Sequence, residues 1–519
     1  MMLLKTYQDL TAIGQNEQQR MNFILAAINE HKNSEIYKIA KCADEYFRHQ
    51  NRTILEHEAT LVTVSGHFVK DEWAANHKTI SNFFFRFVEQ ENQYLLGNGV
   101  RWAGATVEVP EGTHGAVRDW VWDNAPTIDG DNSNISGHYV WKATINTGVA
   151  EKLGADFDNR LDDWGENALV HGVSFAFYNK DHIEVFKLLE FVPLYDEENG
   201  ALKAGIRFWQ IDSSKPLRAT LYELDGYTEY YKPKDGALTV LQPKRAYIEI
   251  QRGTAVDNTT IYEGRNYDGF PIIPMWANKQ KQSEFVGLRD GIDAYDMIKN
   301  GYENDLDNAQ IYWIVRGAGG MDNRELAQFL DRLKVNKIAN VDGDQDVQPV
   351  PVHIPYVERE TLLQRISQDL YRDFLALDLD GIISGANTAT QIKAAYSPLD
   401  LKVDLFEYCV RDAISALLKI VGIQDKPMFD RNQTINKSEE ISNLIQIAQF
   451  VDEEYVTRKA LAILGDTDQA EEILRRKEVA DMQRMIGMGM QIPEGEENGD
   501  IQQEAGLNAG AAGSANTGA

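Results

Sequence analysis

The pattern of apolar and polar positions is most regular between Ser283 and Ile423, where it predicts three long helices. In the first, from about Ser283 to Ala309, apolar residues recur three, four or seven positions apart and share one face. That stripe consists of Phe285, Leu288, Ile292, Tyr295, Tyr302 and Leu306. Within about one quadrant beside it lie the carboxylates of Asp293, Asp296, Glu303 and Asp307. The pattern predicts one face that packs and a neighbouring face that remains acidic.

A small strand-helix-strand unit follows this helix. Ile311 to Val315 is β-branched and aromatic, which favours a strand, and the glycines at 317–320 predict a turn. A short helix is predicted from Asn323 to Leu333. The stretch from Val347 to Ile354 contains two prolines, which restrict it to an edge strand.

Two further helices flank a loop. The second helix begins near Glu358 and shows Leu362, Ile366, Leu370 and Phe374 at helical spacing. The glycine-containing loop at 378–387 is predicted to be mobile. A third helix of about seven turns follows, and its stripe is Ile392, Tyr396, Leu399, Val403, Phe406, Val410, Ile414 and Leu417. Pro398 lies inside this helix and should kink it.

The rest of the chain alternates between helical and β-like patterns. Helices are predicted at 1–55, 75–96, 155–170 and 438–479, and strands at 106–145 and 172–261. The aromatic helix at 75–96 is expected to pack in a core. The tail at 491–519 is acidic, then rich in Gly and Ala, and is predicted to be disordered.

Several of these segments resemble the portal proteins of tailed bacteriophages. Asp293-Ala-Tyr-Asp296, followed by Asn304-Asp305-Leu-Asp-Asn308 and a strand, resembles the passage from stem to clip in that family. Other similar stretches are 172–207, 269–274 with Asn278, 387–393, 399–402, 429–432 with Asn436, and 453–478. The resemblance is strongest to portals of long-tailed phages of Gram-positive bacteria and covers roughly residues 60 to 480. It rests on the order and spacing of several weak motifs.

The resemblance implies an α+β, portal-type multidomain subunit, with wing, stem, clip and crown and long channel-lining helices, that assembles into a ring. Its expected parts are the N-terminal region and α+β wing (1–282), first stem helix (283–310), clip (311–355), second stem helix (356–377), tunnel loop (378–387), kinked long helix and wing closure (388–437), helical crown (438–490) and tail (491–519).

The resemblance also implies a function. Portals form a ring, usually of twelve subunits, at one capsid vertex, where the terminase large subunit packages double-stranded DNA that is later ejected. A head-completion adaptor, scaffolding protein and the major capsid protein are further expected partners.

Site residues are carried over from the same resemblance. The channel-facing residues of the stem would be Asp293, Asp296, Glu303 and Asp307. The tunnel loop would comprise Asp378, Asp380, Gly381, Ile382, Ile383, Ser384, Gly385, Ala386 and Asn387, with Lys393 as a phosphate contact. The clip interface would contain Tyr312, Trp313, Arg316, Arg324, Phe329 and Arg332.

Composition narrows the possible function classes. A chain of 519 residues needs two or more packing units, and its net charge of -28 disfavours tight binding to nucleic acid. Acidic walls would let DNA slide through a channel, whereas the same charge could serve only solubility. Cys42 and Cys409 fit idle thiols in a reducing compartment. No signal peptide and no run of 18 apolar residues is evident, so we expect a cytosolic protein without a membrane. The resemblance implies a protein of the virion that is assembled in the host cytoplasm.

Motifs for enzymatic chemistry are weak. The glycine turn at 317–320 follows a strand but lacks the Gly-Lys-Ser/Thr of a nucleotide-binding loop. The acidic turns at 129–134 and 342–347 lack the glycine and the terminal glutamate of a calcium loop. No HExxH or CxxC pattern occurs, so we expect no catalytic residue, metal or cofactor. The alternatives left open are a capsid or tail scaffold component that conducts no DNA, and a large acidic hydrolase with its site between Thr106 and Ile261.

Overall fold

The computed structural model describes residues 5–62, 66–71, 74–111, 113, 115–122, 137–254, 260–307, 311–316, 324, 328, 346–351, 355–378, 389–431, 437–451, 453–464, 473 and 476. The chain divides into two compact units. The first comprises residues 1–386 and 393–432, and the second comprises residues 387–392 and 433–519.

The chain begins with helices, as the sequence predicts. They are α1 (Tyr7–Ile13), α2 (Glu17–Asn33), α3 (Glu35–Phe47) and α4 (Arg52–Leu55). Thr6 and Asp9 form a reciprocal capping box at α1, and the Ser34 hydroxyl accepts a hydrogen bond from the backbone N–H of Tyr37 in α3. These caps satisfy N–H groups that have no partner within the helix. A short antiparallel pair follows, β1 (Thr60–Val62) and β2 (Phe68–Lys70).

The aromatic helix α5 (Phe83–Leu96) begins later than the predicted start at residue 75. Its Phe83, Phe84 and Phe87 are buried, which confirms the predicted core packing. The next elements are β3 (Val100–Trp102), β4 (Ala105–Val109), β5 (Val117–Trp122), β6 (Gly137–Ile145), α6 (Val149–Leu153) and α7 (Phe157–His171). Strands β4, β6 and β5 form one antiparallel sheet in that order, so the short β-like runs predicted there are confirmed.

Ten strands follow and make up most of the β structure. They are β7 (Val173–Asn179), β8 (His182–Lys187), β9 (Phe191–Tyr195), β10 (Leu202–Trp209), β11 (Leu217–Glu223), β12 (Gly226–Lys232), β13 (Thr239–Arg245), β14 (Ile248–Thr254), β15 (Thr260–Arg265) and β16 (Ile272–Trp276). A five-stranded sheet has the order β13-β12-β11-β10-β9, and a three-stranded sheet has the order β16-β7-β8. Consecutive antiparallel pairing agrees with the short turns between these strands. The mixture of helices and antiparallel sheets confirms the α+β class.

The region with the most regular pattern is also helical in the structure. Its elements, and those that follow, are α8 (Arg289–Asp307), β17 (Ile311–Arg316), β18 (Asp346–Pro351), α9 (Tyr356–Phe374), α10 (Ala389–Val421), β19 (Pro427–Phe429), α11 (Lys437–Ile447) and α12 (Glu453–Leu464). Strands β17 and β18 pair with each other, and β19 pairs with β3.

Helix α8 begins later than the predicted start at Ser283. The Ser283 hydroxyl donates to the Val170 carbonyl at 2.6 Å and accepts from the Phe285 N–H at 3.1 Å, so residues 283–288 form turns before the helix. Within the predicted helix at 323–333, residues 324 and 328 are helical and the others lie outside the described residues. The tail predicted to be disordered also lies outside them.

The first unit contains three groups of buried apolar side chains. The largest joins α3, α5, α7, α8, α9 and α10. A second lies between α2 and strands β9 to β12, and a third, rich in aromatic rings, lies around β7 and β8. No helix in the described ranges combines the length and apolar character needed to cross a membrane.

Candidate functional site

The two predicted stem helices, α8 and α9, pack against each other. Ile292 of α8 and Leu370 of α9 are buried in their shared core. Gly291 allows a close approach, because a Cβ atom there would lie 2.8 Å from Cδ2 of Leu370. The apolar spacing that predicted these helices therefore also predicts the faces that meet.

Asp296 lies on the predicted acidic face of α8 but is fully buried. Its carboxylate accepts hydrogen bonds from Nδ2 of Asn51 at 2.6 Å and from the backbone N–H of Ser81 at 3.0 Å. Burial raises the pKa of Asp296 above its ordinary value, while the hydrogen bonds from Ser81 and Asn51 oppose that rise. The expectation that Asp296 faces a channel is wrong, because its side chain has no contact with solvent.

Two of the other three predicted stem carboxylates are also held within the chain. Asp293 accepts hydrogen bonds from the hydroxyls of Tyr46 and Thr53. Burial, followed by the hydrogen bond to Asp293, raises the pKa of Tyr46 to about 12. Glu303 accepts from the Thr79 hydroxyl at 2.6 Å. The expected free acidic face is therefore covered along much of its length.

We call the residues that cover this face the polar strap, and they come from the α3–α5 part of the chain. The polar strap consists of Tyr46, Asn51, Thr53, His77, Thr79 and Ser81. At its far end, His77 Nε2 lies 2.6 Å from Oδ2 of Asp307, whose side chain remains 64% exposed. Asp307 is thus the one of the four predicted carboxylates that stays mostly open to solvent.

A different face of α8 is exposed in the isolated subunit. Asp290, Ala294 and Asp305 lie on it at helical spacing and are all exposed. Asp305 also pairs with Arg359 of α9 at 2.6 Å. Sequence reasoning missed this face because α8 carries carboxylates on several sides, and the helical pattern alone does not show which of them the polar strap covers.

Helix α9 ends in a tight turn just before the predicted tunnel loop. Leu375 adopts a left-handed conformation with φ of 62°, and the N–H of Ala376 reaches back to the Tyr371 carbonyl at 2.9 Å. This is the hydrogen-bond pattern of a Schellman turn, formed here without glycine. Gln90 of α5 then binds both backbone groups of Leu377, at 3.1 Å to its carbonyl and 2.9 Å to its N–H.

Lys402 of α10 also contacts the end of α9. Its Nζ lies 2.6 Å from Oε2 of Glu284, 3.5 Å from Oε2 of Glu91 and 3.6 Å from the ring centroid of Phe374. Burial raises the pKa of Glu91 to about 8 despite the nearby ammonium group. The two carboxylates raise the pKa of Lys402 although burial acts against them, so Lys402 stays charged.

One face of α5 contacts both Leu377, just beyond α9, and Lys402 of α10. We call this face the α5 platform. It consists of Phe87, Gln90, Glu91 and Tyr94. The Phe87 ring stacks on Phe374 with centroids 4.8 Å apart, and the Tyr94 hydroxyl donates to Oδ1 of Asp400 at 2.6 Å. Sequence reasoning missed the α5 platform; the only signal was a polar Gln-Glu pair inside an otherwise aromatic face.

The structure describes only part of the remaining predicted site. Asp378 is half-buried, the loop residues from Asp380 to Asn387 lie outside the described residues, and Lys393 belongs to α10 without a described side chain. In the predicted clip, β17 pairs with β18 so that Tyr312 lies opposite Val350 and Arg316 opposite Asp346. Trp313 is also in β17 and Arg324 is exposed, whereas Phe329 and Arg332 lie outside the described residues. The described residues contain no cluster of His, Cys, Asp or Glu that could hold a metal ion.

Comparison with known proteins places this architecture in a family. The portal protein of Bacillus phage SPP1 is 24% identical over 476 residues, which cover 84% of this chain and 85% of that protein. The portal protein of Clostridium phage phiCD119 is 26% identical over 259 residues, covering 48% of this chain and 55% of that protein.

Solved structures give weaker similarity. A chain of the virion of a native gene transfer agent particle aligns with a TM-score of 0.36 at 12% identity, over 60% of this chain and 82% of that chain. A TM-score this low is not a basis for assigning the fold. The family model described as phage portal protein, SPP1 Gp6-like, matches residues 25–483. Because that match spans most of the chain and both relatives come from phages of Gram-positive hosts, as the resemblance predicted, the protein belongs to the SPP1 Gp6-like family of phage portal proteins.

Proposed function

We propose that this protein is the subunit of a portal ring, usually of twelve copies, at one vertex of a phage capsid. Double-stranded DNA enters through the ring during packaging and leaves through it during ejection. The observation that carries the proposal is the family match from residue 25 to residue 483, which includes the paired helices α8 and α9. The energy for packaging comes from a separate motor, the terminase large subunit.

The exposed face of α8 is the part of the stem that lines the channel in this proposal. Asp290 and Asp305 lie on that face, and Asp307 remains open beside it. Carboxylates along a channel repel DNA phosphates and prevent tight contacts that would stop movement. Asp293, Asp296 and Glu303 instead hold α8 in place through the polar strap.

The clip residues contact other proteins in this proposal. Tyr312, Trp313 and Arg316 of β17, together with Arg324, Phe329 and Arg332, form the surface that meets the terminase and later the head-completion adaptor. Scaffolding protein and the major capsid protein contact the outer parts of the ring. The loop from Asp378 to Asn387 narrows the channel, and Lys393 contacts DNA phosphate.

The test begins with electron microscopy and mass measurement of the purified protein. A ring with a central channel wide enough for a duplex of about 20 Å supports a portal, whereas a closed oligomer favours a scaffold component. A monomer that does not assemble with capsid and scaffolding proteins contradicts the proposal.

The channel residues are tested in phage particles. Replacing Asp290 and Asp305 with Lys is expected to leave rings intact and to slow genome filling, because cations on the channel wall bind phosphate. Replacing Lys393, or deleting residues 382–386, is likewise expected to impair packaging and not assembly. Normal DNA content in all of these variants would contradict the assignment of the channel face.

A further inference from the structure

The α5 platform contacts the chain on both sides of residues 379–388. Its four residues are spaced at three, four and seven positions, so they lie on one side of α5. Phe87 and Gln90 contact the end of α9, whereas Glu91 and Tyr94 contact α10. A single helix of 14 residues therefore supports the end of one long helix and the early turns of the next.

The contact with α9 is specific because it uses backbone groups. Gln90 donates to the Leu377 carbonyl and accepts from the Leu377 N–H, so one side-chain amide fixes both groups of that residue. These groups lie beyond the last turn of α9 and have no helical partner. An apolar residue at position 90 could pack beside Leu377 but could not fix the direction in which the chain leaves α9.

The contact with α10 involves two aromatic rings and one carboxylate. Tyr94 and Tyr396 are stacked with ring centroids 5.8 Å apart. The Tyr94 hydroxyl donates to Asp400, two residues before Lys402. These contacts determine the rotation of α10 about its axis, because Tyr396 and Asp400 must both face α5 at the same time.

Lys402 joins these supports at one point. It binds Glu284 in the approach to α8 and Glu91 in α5, and it covers the ring of Phe374 at the end of α9. The second oxygen of Glu284 is also held, by Nδ2 of Asn278 at 2.8 Å. Only 13% of the Lys402 side chain and 1% of the Glu91 side chain are exposed.

Stability alone does not explain a buried charge cluster of this kind. Apolar residues of similar volume often fill such a site equally well or better. An ammonium group differs from an apolar side chain because, once buried, it must keep its carboxylate partners within a few ångströms or carry the cost of an unpaired charge. This cluster therefore determines where its helices lie relative to one another.

We infer that the α5 platform and Lys402 form a positioning joint, which fixes α9 and α10 relative to each other and to the approach to α8. The inference rests on the proposed portal function, in which these helices belong to the channel and its supports. A displacement of one stem helix by DNA is then transmitted to α10 through the joint. Gln90 and Lys402 are its positioning residues.

The structural part of the inference is tested on purified assembled protein by hydrogen exchange. In Gln90→Met, the Leu377 amide loses its acceptor, and its exchange should become at least tenfold faster than in the unmodified protein. Tyr94→Phe should accelerate exchange around residue 400 while leaving Leu377 unchanged. An unchanged Leu377 amide in a correctly assembled Gln90→Met protein overturns the inference, whatever that variant does in phage.

The functional part is tested by the DNA content of particles that carry each variant. Lys402→Met and Gln90→Met should assemble into rings and lower the yield of filled particles about tenfold, whereas Lys402→Arg should restore most of that yield. Filled-particle yields equal to those of the unmodified protein, in variants with faster exchange, overturn the positioning role.

A matched control separates this effect from general loss of stability. Arg20→Met removes another buried cation, which pairs with Glu223 at 2.5 Å and lies away from the stem, against strands β11 and β12. It should lower the melting temperature without lowering the filled-particle yield of the surviving rings. If the unmodified protein forms no ring, the proposed function fails. The exchange measurement on the folded subunit still tests whether the positioning joint exists.

Discussion

The two predicted stem helices, α8 and α9, are held in place by different chemistry. Helix α8 presents Asp293, Asp296 and Glu303 to the polar strap, where most donors are uncharged hydroxyl, amide and backbone N–H groups. The end of α9 meets the α5 platform, where a side-chain amide, stacked rings and the Lys402 ammonium converge. Contacts to α8 are spread along the helix, whereas those at the end of α9 depend on a few residues. Loss of one residue should therefore have a larger effect at the α5 platform than at the polar strap.

Replacing Lys402 with Met should have the largest effect on stability. The change leaves the largely buried carboxylate of Glu284 without its cation, so the free energy of unfolding should fall by about 3–5 kcal/mol. Denaturant unfolding, followed by tryptophan fluorescence, measures the change. Lys402→Arg keeps the charge and should lose less than half as much. A loss below about 1 kcal/mol in Lys402→Met would show that the platform does not depend on this residue.

Removing one donor of the polar strap should cost less. Asn51→Ala leaves one oxygen of the fully buried Asp296 without a partner, and hydrogen bonds to charged groups contribute about 1.5–3 kcal/mol. Thr53→Val removes the hydroxyl that donates to Asp293, which is less buried than Asp296. The free energy of unfolding should fall by about 1 kcal/mol. The same unfolding measurement ranks the two variants. Equal losses would contradict the expectation that the hydrogen bond to the fully buried Asp296 contributes more than the one to Asp293.

The two regions should also differ in their response to pH. Because the pKa of Glu91 in the folded protein is about 8, above its ordinary value of 4.5, folding favours the protonated carboxyl. Its contribution to stability is complete below about pH 4.5 and is lost as the pH rises through about 8. Glu91→Gln cannot lose a proton, so its stability relative to the unmodified protein should rise by up to about 1.4 kcal/mol per pH unit in that window.

This comparison must be made between the two proteins, because other groups titrate in the same direction. Burial raises the pKa of Asp162 to about 6 and that of Glu166 to about 7. Both groups are present in the unmodified protein and in the variant, so the difference isolates Glu91. A constant difference from pH 5 to pH 9 would show that Glu91 is ionised throughout.

The sequence was sufficient for the elements that depend on local periodicity. The stripe from Ile292 to Leu306 predicted α8, and the spacing of Leu370 and Phe374 predicted the buried face of α9. The sequence could not show that this acidic face is covered. Asn51 and Ser81, which donate hydrogen bonds to Asp296, lie more than 200 residues before it. Likewise, Gln90 and Leu377 are separated by 287 positions, so no helical pattern connects them. Long-range hydrogen bonds determined which predicted site residues are open.

The smallest predicted effect compares two glycines on α8, and it tests how closely α8 and α9 pack. A Cβ atom at Gly301 would meet nothing within 4 Å, so Gly301→Ala should stabilise the isolated subunit by about 0.5–1 kcal/mol through helix propensity alone. At Gly291 the same gain in helix propensity is opposed by a steric clash. The new Cβ would lie 2.8 Å from Cδ2 of Leu370, so that side chain must move. Gly291→Ala should therefore be neutral or destabilising. Equal stabilisation in thermal unfolding of the two variants would mean that α8 and α9 are not in close contact at Leu370.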